Sequence, residues 1–359
     1  MKKAIGILCL LVFIPALALT AGPSLLSPIA RGNSLARQNN HEEAIAAFSE
    51  AIAARLNLPE AYLGRASSHL ALGEVAEAIN DCDAAIATFP DFAEAYLTRG
   101  MAFAANQEND KALADYAKAL SLAPKNPYAL YNRGVLYTRM MQFEKAKKDF
   151  NAAIEADPSF APAYFGRGLA LYATGANAEA IADYSKTTAL DPGYLDAYNN
   201  RGLAYKKAGR YDLAATDFSR VIATTPEDPV AYVNRGWAFR KQKKYKEALE
   251  DFKEALRLDP GLWIAYNGYA WLLCTCPDPA FLLGRKAVEL AETAVSLNKN
   301  SLSLDTLAAA LAQNGRFDEA QRTEERAIEY REKVEGKKAP AEFVLRLESY
   351  KARTPWRED

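Results

Sequence analysis

The chain of 359 residues carries 44 basic and 45 acidic side chains, for a formal net charge of −1 and a pI near 6.3. Half of it is apolar and a quarter is charged, with 19 glycines and 17 prolines, which excludes collagen, a disordered chain and a multi-pass membrane protein. So balanced a charge lacks the footprint of a dedicated nucleic-acid binder, and four cysteines with two histidines leave little for a disulfide framework or imidazole chemistry.

The first element is an address. Met1-Lys2-Lys3 precedes an uncharged apolar run from Ala4 to Ala21, punctuated by Gly6 and Pro15 and followed by Gly22-Pro23. This three-part pattern predicts a secretory signal peptide over residues 1–21, with cleavage after Ala21. A retained N-terminal anchor is the competing reading, since about 18 apolar residues just span a bilayer. On either reading the body of the chain is expected to be exported, in the periplasm or cell envelope.

From Leu25 the chain then falls into seven blocks of 34 residues without insertion, ending at Leu262. Block position 8 is small in every copy (Gly32, Ala66, Gly100, Gly134, Gly168, Gly202, Gly236), and position 20 is always alanine, from Ala44 to Ala248. Position 24 is a ring in all but one: Phe48, Cys82, Tyr116, Phe150, Tyr184, Phe218 and Phe252. Position 32 is Leu56 and thereafter proline, from Pro90 to Pro260. Each block holds two stretches with apolar residues at three- and four-residue spacing, split by a turn that carries Gly73, Gly175 or Gly209 in three copies. Small residues let two backbones approach, the ring fills the space beside them, and proline, lacking an N–H, stops the second helix. One hairpin cannot bury its apolar face alone, so neighbours must stack.

These blocks resemble tetratricopeptide repeats, a family of helix–turn–helix units. The resemblance implies an all-α, right-handed superhelical solenoid of about nine repeats. Seven regular repeats occupy residues 22–262, and two divergent ones residues 263–334. The first of these takes an insertion at Cys274-Thr-Cys-Pro-Asp-Pro279. A C-terminal cap over 335–359 contains the amphipathic stretch Glu342–Tyr350; the wording from Tyr269 to Thr354-Pro-Trp-Arg357 is similar to the ends of exported bacterial repeat proteins. Block one and the final segment are expected to be the atypical capping units.

Arginine recurs at position 7 from Arg31 to Arg235, and aspartate at position 23 from Asp81 to Asp251. Both columns fill blocks two to seven and fade together outside them. Mutual pairing within the stack is therefore expected, in preference to an arginine ladder for an anionic ligand.

The family resemblance also implies that first helices line a concave surface. Taking positions 2, 5, 6, 9, 12 and 13 as inward-facing yields an apolar, aromatic half followed by one with amides and cations. The predicted partner-binding residues are Tyr131, Asn132, Phe165, Tyr172, Asn200, Lys206, Asn234, Trp237 and Arg240. Aromatic and arginine side chains suit recognition hot spots, and side-chain amides suit a bound main chain. An acidic end of the partner is expected near blocks six and seven, although basic groups there also close helix C-termini. The family's Lys/Asn carboxylate clamp is not reproduced, since Asn199 and Leu203 stand where its first members belong.

Cys274 and Cys276 are poor co-ligands at that spacing, and Cys82 takes a ring slot, so packing is the expected role of all three. His41 is expected in an inter-helix turn and His69 in a core-facing slot. With no phosphate loop, nucleophile elbow or zinc signature, no catalytic, cofactor or metal site is predicted. The expected function is a non-enzymatic interaction scaffold for a protein or peptide, with no nucleic-acid or small-molecule partner. The alternative is an accessory assembly subunit of an envelope or secretion complex acting through its C-terminal repeats.

Overall fold

Helical periodicity translates directly into structure. The computed structural model describes residues 27–54 and 58–358, over which the chain forms nineteen α-helices and no strand. The leader over residues 1–21 and Leu56 lie outside the described residues. The chain divides into two compact units, one ending at Gly193 and the other starting at Tyr194.

The first unit is five hairpins: α1 (Ser27–Arg37) with α2 (His41–Ala53), α3 (Pro59–Leu72) with α4 (Val75–Thr88), and α5 (Ala93–Ala105) with α6 (Asn109–Leu122). Then come α7 (Pro127–Arg139) with α8 (Phe143–Ala156), and α9 (Ala161–Ala173) with α10 (Asn177–Leu190). The second unit has four: α11 (Leu195–Lys207) with α12 (Tyr211–Thr224), α13 (Pro229–Lys241) with α14 (Tyr245–Leu258), α15 (Trp263–Thr275) with α16 (Gly284–Leu297), and α17 (Ser301–Gln313) with α18 (Phe317–Glu329). A single helix, α19 (Ala341–Lys351), closes the stack. The all-α arrangement of helix–turn–helix repeats expected from the period is thus what forms.

Two positions are corrected. His41 opens α2 instead of lying in the turn before it. Cys274 and Thr275 still belong to α15, so the insertion begins at Cys276 and carries a short 3-10 turn over Pro279–Phe281.

Each ring at position 24 is the hub of its hairpin. A Cβ on Gly134 of α7 would lie 2.8 Å from Phe150 of α8, and one on Gly166 of the following hairpin 2.6 Å from the same ring. Only glycine permits that approach on both sides, so the small column and the ring column are one device. Cys82 fills the hub of the second hairpin as a fully buried thiol.

The arginine and aspartate columns pair within each hairpin, 16 residues apart. Arg133 is bidentate to Asp149 through two hydrogen bonds of 2.7 Å, and Arg65, Arg99, Arg167, Arg201 and Arg235 repeat the geometry. A further guanidinium N–H reaches back to the preceding hairpin: Arg65 to Ser49 (2.9 Å), Arg99 to Asp83 (2.5 Å), Arg167 to Asn151 (2.7 Å) and Arg235 to Ser219 (3.2 Å). The ladder therefore sets the register between neighbours. The aspartates are buried and the arginines keep only 16–26% of their side-chain surface, so removing one partner would leave a buried charge uncompensated.

Within each unit, second helices pack on the first helix of the next hairpin. Successive first helices also approach one another more closely than successive second helices do. First helices consequently line the inner side of each unit.

Candidate functional site

In the first unit, the structure separates the predicted contact residues by depth. Tyr131 of α7 is buried, its ring 5.9 Å from Phe150 and 5.5 Å edge-on from Phe160. Phe165 of α9 is buried against Tyr184 at 5.8 Å. Asn132 is fully buried and donates to the Tyr128 carbonyl one turn back at 2.9 Å. Tyr172, near the end of α9, stays half-buried.

The second unit divides in the same way. Asn200 is buried and donates to the Asp196 carbonyl at 2.8 Å. Lys206, Asn234 and Trp237 remain partly exposed, and burial pushes the Lys206 ammonium below the usual lysine range. Trp237 stands edge-on to Phe252 at 5.8 Å.

The expectation that positions 5 and 6 look into the groove is therefore corrected for Tyr131, Asn132, Phe165 and Asn200. At 3.6 residues per turn, position 5 swings onto the ring of its own hairpin and position 6 toward the preceding hairpin. The column itself carried that signal: Gly64 and Gly166 share position 6 with Asn132 and Asn200, and a Cβ on either glycine would strike the preceding ring. Positions at the helix ends, such as Tyr172 and Lys206, keep access to solvent.

Arg240 is the other surprise. It is buried at the end of α13, stacked 4.6 Å over the Trp237 ring, and ion-paired with Glu358 from the chain's far end. Glu358 also accepts from the Trp271 indole N–H at 3.1 Å and lies 3.4 Å from the Lys241 ammonium. Burial pushes the Glu358 carboxyl up, but the Arg240 guanidinium, the Lys241 charge and the Trp271 hydrogen bond together hold the group below the usual carboxylate range. The Glu358 backbone N–H donates to the Thr275 carbonyl (3.1 Å) and the Arg357 guanidinium to the Cys274 carbonyl (3.2 Å), satisfying the orphan end of α15. Pairing across 118 residues leaves no local sequence signal.

Beside this carboxylate lies a cleft of about 360 Å³, lined by Trp237, Asn267, Trp271, Leu302 and Arg346. Arg346 of α19 is bidentate to Asp305 of α17 (2.6 and 3.1 Å), and its guanidinium lies over the rings of Trp271 (5.1 Å), Phe343 (5.1 Å) and Trp356 (5.7 Å). Behind it Glu324 is fully buried, and burial together with the Asp305 charge holds its carboxyl far above the usual range. Cys82, Cys274 and Cys276 are buried free thiols, and His69 pairs with Glu74 at 2.6 Å. Among the described residues no three His, Cys, Asp or Glu side chains gather into a group that could hold a metal ion.

Sequence models of the tetratricopeptide repeat match residues 29–92, 63–127, 99–164 and 199–262, with further repeat models over 168–209 and 301–340. The chain belongs to the tetratricopeptide repeat family. No curated protein matches the sequence. Several solved TPR structures share the fold. A chain of the APC/C hetero-tetramer Cut9–Hcn1 superposes with a TM-score of 0.55 at 15% identity, covering 79% of this chain and 55% of that one. PilF of Pseudomonas aeruginosa gives 0.53 at 18%, covering 58% and 94%. The C-terminal part of a TPR protein from Cytophaga hutchinsonii gives 0.51 at 18%, covering 67% and 98%. At these identities the likeness concerns the fold alone. A TPR stack offers shape and presented side chains more than a reaction centre, which makes this chain an interaction scaffold of the general TPR kind.

Proposed function

We propose that this TPR protein is a non-enzymatic scaffold of the cell envelope that holds protein segments along the inner face of its repeats. The observation that carries the reading is the set of partly exposed groups on first helices. Tyr172 supplies it in the first unit, and Lys206, Asn234 and Trp237 in the second. They combine ring, amide and cation on the side where first helices lie closest, the mix that suits a bound polypeptide. The envelope location rests on Met1-Lys2-Lys3 and the apolar run behind it, and is tested by the mass of the mature N-terminus and by cell fractionation. Among the described residues no helix is long and apolar enough to cross a membrane.

The test of the groove is site-specific photo-crosslinking in the native cell. Probes at Tyr172, Lys206 and Asn234 should trap the same partner, while probes at Ala117 and Lys253 on second helices should trap little. Equal trapping from both faces removes the inner-face reading.

A second reading, an accessory assembly subunit acting through its C-terminal repeats, is favoured by the exposed Val334, Val344 and Leu345 near the chain's end. The double change Val344→Lys, Leu345→Lys should abolish capture on that reading and spare it on the first.

A further inference from the structure

The cleft on the second unit holds more recognition chemistry than its own fold uses. Arg240 is more than nine-tenths buried, yet its Nε has no hydrogen-bond partner, and the buried Oδ1 of Asn267 in the same cleft is likewise unsatisfied. Leaving such groups unpaired is costly inside a protein, and a donor and an acceptor lining one cleft match the amide groups of a peptide main chain. Trp237, Trp271 and Leu302 supply an apolar wall, while Arg240, Lys241 and Arg346 supply the charge.

What sits there now shows the register. Trp356 lies against the Arg346 guanidinium, and two residues later Glu358 meets Arg240, Lys241 and the Trp271 indole. From this we infer that the cleft is a receptor for an acidic protein segment with an aromatic residue two positions before a carboxylate. Residues Trp356–Glu358 are its resident occupant, displaced when a partner segment docks. This rests on the scaffold reading and names the partner chemistry for one part of that surface.

The occupant competes in cis, so the full chain with an intact tail should be a weak receptor. The probe is a labelled hexapeptide, Thr-Pro-Trp-Arg-Glu-Asp, and a twin with both acids as amides. In fluorescence anisotropy, full-length Glu358→Gln should bind the acidic peptide at least tenfold more tightly than wild type and leave the twin unbound. Adding Arg240→Gln should remove the gain. Equal binding of the two peptides, or no gain over wild type, overturns the proposal. Should Glu358→Gln unfold, hydrogen exchange on the wild-type chain decides: saturating acidic peptide should expose the Glu358 backbone amide, now bonded to Thr275. A tail that stays protected overturns the displacement. Failure here with inner-face crosslinks intact removes this cleft alone; loss of those crosslinks removes the scaffold reading itself.

Discussion

At residue scale the inter-helix turns follow one backbone rule with uneven side chains. Position 15 of all seven regular blocks has positive φ: Asn39, Gln107, Met141 and Lys243 at 59–65°, and Gly73, Gly175 and Gly209 at 73–87°. Glycine adopts this conformation without a Cβ penalty, whereas other residues are strained there by about 1 kcal/mol. Met141 is also 71% exposed, so nothing packs in return. Met141→Gly should raise stability by about 0.5–1 kcal/mol and Gly175→Ala should lower it by about 1 kcal/mol, read as shifts in urea midpoint at constant slope. Opposite signs would show that the turn is held by something other than backbone preference. The ring column is less forgiving. Phe150→Ala empties a hub shared by two hairpins and should cost about 3–5 kcal/mol, well above the loss from Arg133→Lys, which keeps a cation beside the buried Asp149. If both cost the same, the ladder does more than set register.

At the scale of elements, the closing helix is held by a buried polar cluster. α19 docks through Arg346 on Asp305, through Phe343, and through the Tyr350 carbonyl, which accepts from Gln321 at 3.2 Å. Glu324 faces Asp305, Arg346 and Tyr350 from α18, and burial favours its neutral form. A carboxyl raised in the folded state binds its proton there while the unfolded chain has released it. Its contribution is therefore fully present below the ordinary glutamate range and is lost as pH rises toward its folded value. Wild type should lose melting temperature between pH 5 and pH 9 more steeply than Glu324→Gln, which keeps the shape without the ionisable proton. Parallel curves would mean that Glu324 is charged and paired in solution.

At the scale of the whole molecule, a repeat stack has no single core, and each hairpin is stabilised by its neighbours. The first unit concentrates its apolar interior in α5 to α9, around Tyr116, Tyr131, Leu136 and Phe150. Among the described residues, the hairpin α1–α2 packs on another hairpin on one side only. Native-state hydrogen exchange should accordingly find the slowest amides of this unit in α6 to α8 and the fastest in α1. Uniform protection would instead indicate one cooperative block.

The 34-residue period was enough to determine helix type, ring hubs and the Arg–Asp pairing, because each rests on contacts within a repeat or to its immediate neighbour. Such contacts recur at fixed spacing, so seven copies make them legible. Which first-helix residues see solvent was decided only by tertiary packing. Tyr131 and Tyr172 are both rings on first helices, at repeat positions seven apart and so on nearly the same helix face, yet packing buries the first and leaves the second, near the helix end, half-buried. The cleft at Arg240 lay further beyond reach, since its carboxylate, indole and second arginine come from helices and a tail brought together once, by the end of the stack, with no repeat to betray them.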